Sequence, residues 1–161
     1  MCDYSLMAVP NRLAQEGEQL VTHRFPTGSL GLASPTEIAR VAASASPSRK
    51  PFFTVLKEFF NPPAAAQVCA VCIPPGARLR VQSIPQRLQQ AFCIGLTEDV
   101  TFTQLSEAVN TYRDALRFAN GRELRLQELR EGMPVTVLDL SSAEEVNLDV
   151  LRFEREFVHR R

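Results

Sequence analysis

The chain has 161 residues, 18 Lys plus Arg against 18 Asp plus Glu, and a 45% hydrophobic fraction. That length and composition suit one globular domain with a proper core. The charge balance argues against partners held mainly by charge, nucleic acid and anionic membrane among them, though it leaves room for a small local patch, and no run approaches the ~20 apolar residues of a membrane span.

Residues 2–9 read as a first strand, with Cys2, Tyr4 and Leu6 on one face. Residues 18–25 are β-favourable, and residues 29–33 form a second strand after a turn at 26–28. Ser34-Pro35-Thr36-Glu37 is a helix start: Ser34 caps, Pro35 suits the first helical position and Glu37 follows three residues after the cap. Ile38, Val41 and Ala42 form its apolar side, and it dissolves into a Ser/Ala/Pro linker at 44–48.

Residues 51–60 (PFFTVLKEFF) are the most hydrophobic segment. Phe52, Val55, Leu56, Phe59 and Phe60 recur at helical spacing, with Phe53 beside them and Lys57 and Glu58 opposite. Asn61-Pro62-Pro63 stops the helix. Each phenylalanine fully buried is worth roughly 2–3 kcal/mol, so this face must be covered. It either covers an open face of a sheet or docks a partner protein or a membrane surface, the last disfavoured by the low charge of its polar side.

Residues 67–73 and 78–84 read as strand, turn, strand, with Pro75 and Gly76 at the centre of a type II turn. A hairpin there sets Cys72 opposite Leu79 and Ala70 opposite Val81, and puts Cys69, Val71 and Ile73 on the other face. Residues 89–96 are read as an apolar strand that buries Cys93, and 103–112 as a short helix. Residues 115–128 are the clearest hairpin. A three-residue loop, Ala119-Asn120-Gly121, brings Leu116 to Leu124 and Arg117 to Glu123 and gathers Leu116, Phe118, Leu124 and Leu126 on one face. Residues 134–140 form a further strand. Ser141-Ser142 with Glu144 and Glu145 opens a C-terminal helix carrying Val146, Val150, Phe153 and Phe157.

Four cysteines hold most of the chemical interest. Cys69 and Cys72 make a Cys-x-x-Cys, but residues three apart on a strand point to opposite faces, so they do not grip one metal ion. A redox pair needs a following helix to lower the thiol pKa, and Pro74-Pro75-Gly76 follows instead. Cys2 has position in its favour: removal of Met1 would leave thiol and α-amine on one residue, the pairing used by N-terminal nucleophiles. Cys2 is therefore the candidate catalytic residue. His23 and His159 read as surface histidines. Asp3 stands where a signal peptide needs a base, so a cytoplasmic chain with reduced thiols is expected.

Met1-Cys2-Asp3-Tyr4-Ser5-Leu6, Asn11-Arg12, Leu20-Val21-Thr22, Val71-Cys72 and Asp114-Ala115-Leu116-x-Phe118-x-Asn120-Gly121 resemble an uncharacterised family of short bacterial proteins that begin Met-Cys-Asp-Tyr-Ser. The resemblance covers about 1–33 and 67–140. It carries over no activity. It places Cys2 and Cys72 in the shared part and leaves 34–66 as an insertion.

The expected fold is mainly β (α+β), a small barrel or rolled antiparallel sheet in one domain, 1–161, with a C-terminal helix and an inserted amphipathic helix. The expected function is a non-enzymatic cytoplasmic binding or accessory protein. Its protein partner is expected at Phe52, Phe53, Val55, Leu56, Phe59 and Phe60, without cofactor, nucleic acid or membrane span. The alternatives are a thiol-dependent enzyme or sensor using Cys2, and a Cys-ligated metal-binding protein.

Overall fold

The computed structural model describes residues 6, 9–45, 67–105 and 112–142. The expected strand at 2–9 (Leu6 and Val9 apart), the aromatic helix at 51–60 and the C-terminal helix from 143 onward lie outside them.

Among the described residues nine strands appear in chain order: β1 (Asn11–Leu13), β2 (Gln19–Arg24), β3 (Leu30–Ala33), β4 (Ala70–Cys72), β5 (Arg78–Val81), β6 (Glu98–Gln104), β7 (Asp114–Phe118), β8 (Glu123–Arg125) and β9 (Pro134–Asp139). Among the described residues two helices join them, α1 (Pro35–Ala45) between β3 and β4, and α2 (Gln86–Phe92) between β5 and β6. Seven strands form one antiparallel sheet in the order β3-β2-β9-β5-β6-β7-β8, and β1 with β4 makes a small parallel pair. The β-rich α+β expectation holds in this form. Among the described residues no ladder joins β3 to β8, so the sheet they form is not a closed barrel. A side chain links the two ends instead. The 3-10 turn Leu126–Glu128 follows β8, and the Gln127 carboxamide accepts from the Leu30 N–H at 2.8 Å and donates to the Leu30 C=O at 2.7 Å.

Alternation along the strands sets the core. Leu79 and Val81 are buried on β5, while Arg78 and Arg80 between them are exposed. Val100 and Phe102 do the same on β6, and Val135 and Val137 on β9. A period of two with one apolar face is what a half-covered antiparallel sheet needs. A smaller buried cluster gathers Leu6, Val9, Phe25, Ala33 and Ala70, with Ile38 of α1 packed against it.

Two hairpins close in the same way. Phe25 donates to Ser29 across Pro26-Thr27-Gly28, and Phe118 donates to Arg122 across Ala119-Asn120-Gly121. In each loop the third residue is a glycine at positive φ, +84° at Gly28 and +81° at Gly121. That left-handed position is cheap for glycine alone. The register then pairs Leu116 with Leu124 and Arg117 with Glu123, as the hydrophobic pattern requires. The Asn120 side chain has a further use. Its amide donates to the Phe92 C=O at 2.8 Å, and the Arg122 guanidinium donates to Ala91 C=O at 2.5 Å. These are C-terminal carbonyls of α2, which lack partners within the helix.

Other expectations are corrected. Residues 67–73 and 78–84 are not a hairpin. The turn forms, with Ala77 N–H donating to Pro74 C=O and Gly76 at φ +89°, but β4 pairs with β1 while β5 pairs with β6 and β9. β4 is buried on both faces: Ala70, Val71, Cys72 and Ile73 are all within the core. Residues 89–96 are not a strand. Pro85 precedes a helix whose Leu88 and Phe92, four apart, lie against the main core. Cys93 is not buried; it is the exposed left-handed residue that ends α2, at φ 52°. The helix expected from 103 does not begin there, because Thr103 and Gln104 complete β6.

Candidate functional site

The sequence placed its candidate nucleophile at Cys2 and its contact surface at Phe52, Phe53, Val55, Leu56, Phe59 and Phe60; all seven residues lie outside the described part of the structure. What the structure brings together is a different set. A buried cavity of about 10 Å³ is lined by Leu6, Gly31, Val71, Cys72 and Asp114, among others. That volume suits one water molecule at most.

Each lining group arrives by a separate route. Cys72 ends β4, where Leu13 is its register partner in the parallel pair. Asp114 begins β7, paired with Gln104 at the end of β6, and its Oδ1 accepts from the Gln104 side-chain amide at 3.0 Å. Asp114 is 5% exposed, which is unusual for a carboxylate. Leu6 lies against Gly31 so closely that a Cβ there would sit 2.7 Å from Leu6 Cδ1 and 3.0 Å from the Phe25 ring. Gly31 therefore permits the N-terminal arm to approach β3. Leu6, Val71, Cys72 and Asp114 are all residues on which the family resemblance rests, and they meet at this one cavity.

The cysteines differ in state. Cys72 is disulfide-bonded, which corrects the expectation of four reduced thiols, whereas Cys69 and Cys93 are free. Cys69 is half-buried, and its thiol donates only weakly to its own neighbour, the Ala70 C=O, at 3.7 Å. Burial pushes its pKa up, Glu37 pushes the same way, and Arg12 pulls it down. A thiol raised in this way is a poor nucleophile near neutral pH. Among the described residues no group of three His, Cys, Asp or Glu side chains is placed to hold a metal ion.

A second, open concavity of about 340 Å³ lies beside α1, lined by Arg12, Ser34, Thr36, Glu37 and Arg40. Its cations are already engaged. Arg12 forks onto the Glu18 carboxylate, and Arg40 lies 3.5 Å from Glu37. The hydrogen bond from Arg12 holds Glu18 below the usual carboxylate range, against an opposing push from burial. His23 has a structural role. Its Nδ1 is 3.3 Å from Glu131 Oε1, and its ring meets Phe25 edge-on at 5.0 Å.

Sequence reasoning missed Asp114 as a buried acid. A single inward carboxylate has no period, so only its flanks Ala115 and Leu116 marked the strand. Among the described residues no helix is long and apolar enough to cross a membrane. No protein-family profile, curated protein or solved structure matches the chain.

Proposed function

We propose that this protein is a non-enzymatic binding or accessory protein of the cytoplasm, and that residues 51–60 are its protein-contact surface. One observation supports this reading most. Among the described residues, all seven strands of the main sheet have partner strands. The segment is attached at two fixed points, α1, whose Ile38 packs on the smaller cluster, and β4, whose Ala70 N–H donates to Pro10 C=O at 2.8 Å. A segment spliced between two anchored elements, carrying five apolar residues at helical spacing, suits partner docking in a groove.

Deletion of residues 48–63, bridged by a short Gly/Ser linker, tests the reading. The shortened chain should keep its circular dichroism spectrum and melt cooperatively. Unfolding would place the segment in the core and end the proposal. A photo-crosslinking residue at Lys57 should give a discrete crosslinked species that Phe52→Asp with Phe59→Asp abolishes; a crosslinking pattern unchanged by that pair of substitutions counts against the contact surface.

A second reading, a thiol-based sensor, is favoured by the disulfide at Cys72 beside the buried Asp114. The sensing group is then a disulfide and not an N-terminal nucleophile.

A further inference from the structure

We infer that β8 is a self-association edge, where a second copy of this chain adds its own β8 antiparallel about a two-fold axis at Leu124. The proposal is independent of the contact surface at 51–60 and of the thiol reading.

The edge follows from the ladder. β8 ends the seven-strand sheet, and among the described residues no strand pairs with its outer side. Phe118 N–H donates to Arg122 C=O, and the register sets Arg117 beside Glu123 and Leu116 beside Leu124. Bonded and unbonded pairs alternate along an antiparallel ladder. Leu124 therefore turns its N–H and C=O to β7, whereas Glu123 and Arg125 turn theirs outward. The Arg125 C=O also opens the 3-10 turn that follows, and it keeps a second lone pair. Under the two-fold, the Arg125 N–H of each copy donates to the Glu123 C=O of the other.

Charge chooses the register. Only residues whose backbone points outward bond across the edge, so Glu123 and Arg125 meet each other or themselves. A pairing centred on Glu123 sets acid against acid, and one centred on Arg125 sets cation against cation. Centred on Leu124, it sets Glu123 against Arg125 twice, on one face of the joined sheet. Charges on an edge strand ordinarily keep other strands away. Glu-Leu-Arg is instead complementary to its own reverse.

Arg125 is the member of this pair with no acid to answer it in its own chain. It is exposed, its register partner on β7 is Ala115, and among the described residues it forms no ion pair. Glu123 already meets Arg117 at 2.8 Å, yet 31% of its side chain stays open to solvent. In the dimer its carboxylate lies between Arg117 of its own chain and Arg125 of the other. Two strands this short bury little area, so the contact belongs to the weak, concentration-dependent class. Its ion pairs are exposed, and added salt loosens it.

Sedimentation velocity on the full chain tests the edge, over a dilution series at low salt. Reductant is present so that the exposed Cys93 forms no intermolecular disulfide. The weight-average mass should climb from one chain towards two as concentration rises. Glu123→Arg and Arg125→Glu should each hold it at one chain, the first by opposing cation to cation, the second acid to acid. An equal mixture of the two variants should restore the dimer, because every cation then faces an acid. Circular dichroism melts check that both fold. Arg125→Glu breaks no ion pair of the monomer, so it carries the test alone if Glu123→Arg does not fold. Amide exchange adds a second readout: the Arg125 N–H should slow with concentration, and the Leu124 N–H should not change. A chain monomeric at every concentration, association that survives Arg125→Glu, or a mixture of folded variants that stays monomeric overturns the proposal. An Arg125 amide already slow at monomer mass means that the chain covers this edge itself, and overturns it too.

Discussion

Gln127 makes with Leu30 the two hydrogen bonds that a neighbouring strand would make. Its carboxamide accepts from the Leu30 N–H and donates to the Leu30 C=O, at 2.8 and 2.7 Å across 97 residues of sequence. Leu30 is wholly buried, so neither backbone group has water as an alternative. One primary amide thus covers part of the edge of β3 where the sheet curls but does not close.

Gln127→Ala should therefore cost about 1–3 kcal/mol, the desolvation penalty of stranded buried groups, read as a shift in the urea midpoint. Gln127→Glu separates acceptor from donor. At neutral pH its carboxylate accepts from Leu30 N–H but faces the Leu30 C=O, so it should be destabilised. Protonation restores a donor, so the folded-state pKa of this glutamate lies above its unfolded value. The recovered stability is present below the unfolded pKa and disappears as pH rises through the folded one. Equal stability of Gln127→Glu at acid and neutral pH, relative to the parent, would show that the donor half contributes nothing.

Asp114 is expected to matter through Gln104. Asp114→Ala removes the acceptor of the Gln104 amide in a buried place and should cost about 1–3 kcal/mol. Asp114→Asn keeps an acceptor oxygen and should cost less. Chemical denaturation of both variants checks the order; the reverse order would mean that the negative charge, not the hydrogen bond, holds the β6–β7 end together.

The hairpins at β2–β3 and β7–β8 were legible because their information is local. A three-residue loop ending in Gly28 or Gly121 fixes the register, and the hydrophobic face confirms it. The residues 74–77 give an equally good local turn and mislead, because a turn does not name the partner of the strand that precedes it. β4 finds β1, a three-residue NRL stretch without alternation, some sixty positions upstream. α2 was misread because Ala91 to Leu96 is a short apolar run, and such runs do not distinguish strand from helix. The overlooked signal was Pro85 ahead of Leu88 and Phe92, four apart. β6 was missed although Val100 and Phe102 alternate with Asp99, Thr101 and Thr103. The cavity of Cys72 and Asp114 joins six separate stretches, so no window of sequence contains it.

Cys93 carries a correctable strain. It ends α2 at φ 52° and ψ 54°, the left-handed region that favours glycine, with its side chain exposed. Cys93→Gly should raise stability by about 0.5–1 kcal/mol, the relief of the Cβ clash less the added entropy of the unfolded chain. Thermal melts under reducing conditions measure it. A lowered midpoint would mean that the thiol contributes more than its 4.0 Å contact with Gln90 C=O suggests.

Glu18 should titrate abnormally. Its carboxylate accepts from Arg12 and from the Gln15 N–H at 3.1 Å, and its folded pKa is depressed. A depressed acid contributes stability above its unfolded pKa, ~4.3, and that contribution disappears as pH falls through the folded value. Arg12 is 38% exposed, so screening limits the whole effect to about 0.5–1 kcal/mol. NMR titration should place Glu18 below the ordinary range in the parent and return it there in Arg12→Ala. An unshifted Glu18 in the parent would show that solvent already screens the pair. The Arg80–Asp99 fork, at 2.7 and 3.0 Å, has equally good geometry on an exposed surface, and Asp99→Asn there should leave the midpoint unchanged.

The position of β9 has a consequence for synthesis. The last of the described strands lies between β2 and β5, hydrogen-bonded to both. As the polypeptide leaves the ribosome, the β2–β3 hairpin and the β5-to-β8 meander can each form, but among the described strands none pairs with both β2 and β5 until β9 has emerged. Until then β2 and β5 both offer unpaired backbone to any neighbouring chain. Vectorial folding thus stops at two half-sheets. A ribosome stalled before Pro134 would display a pair of sticky edges, and completion of the sheet waits for β9.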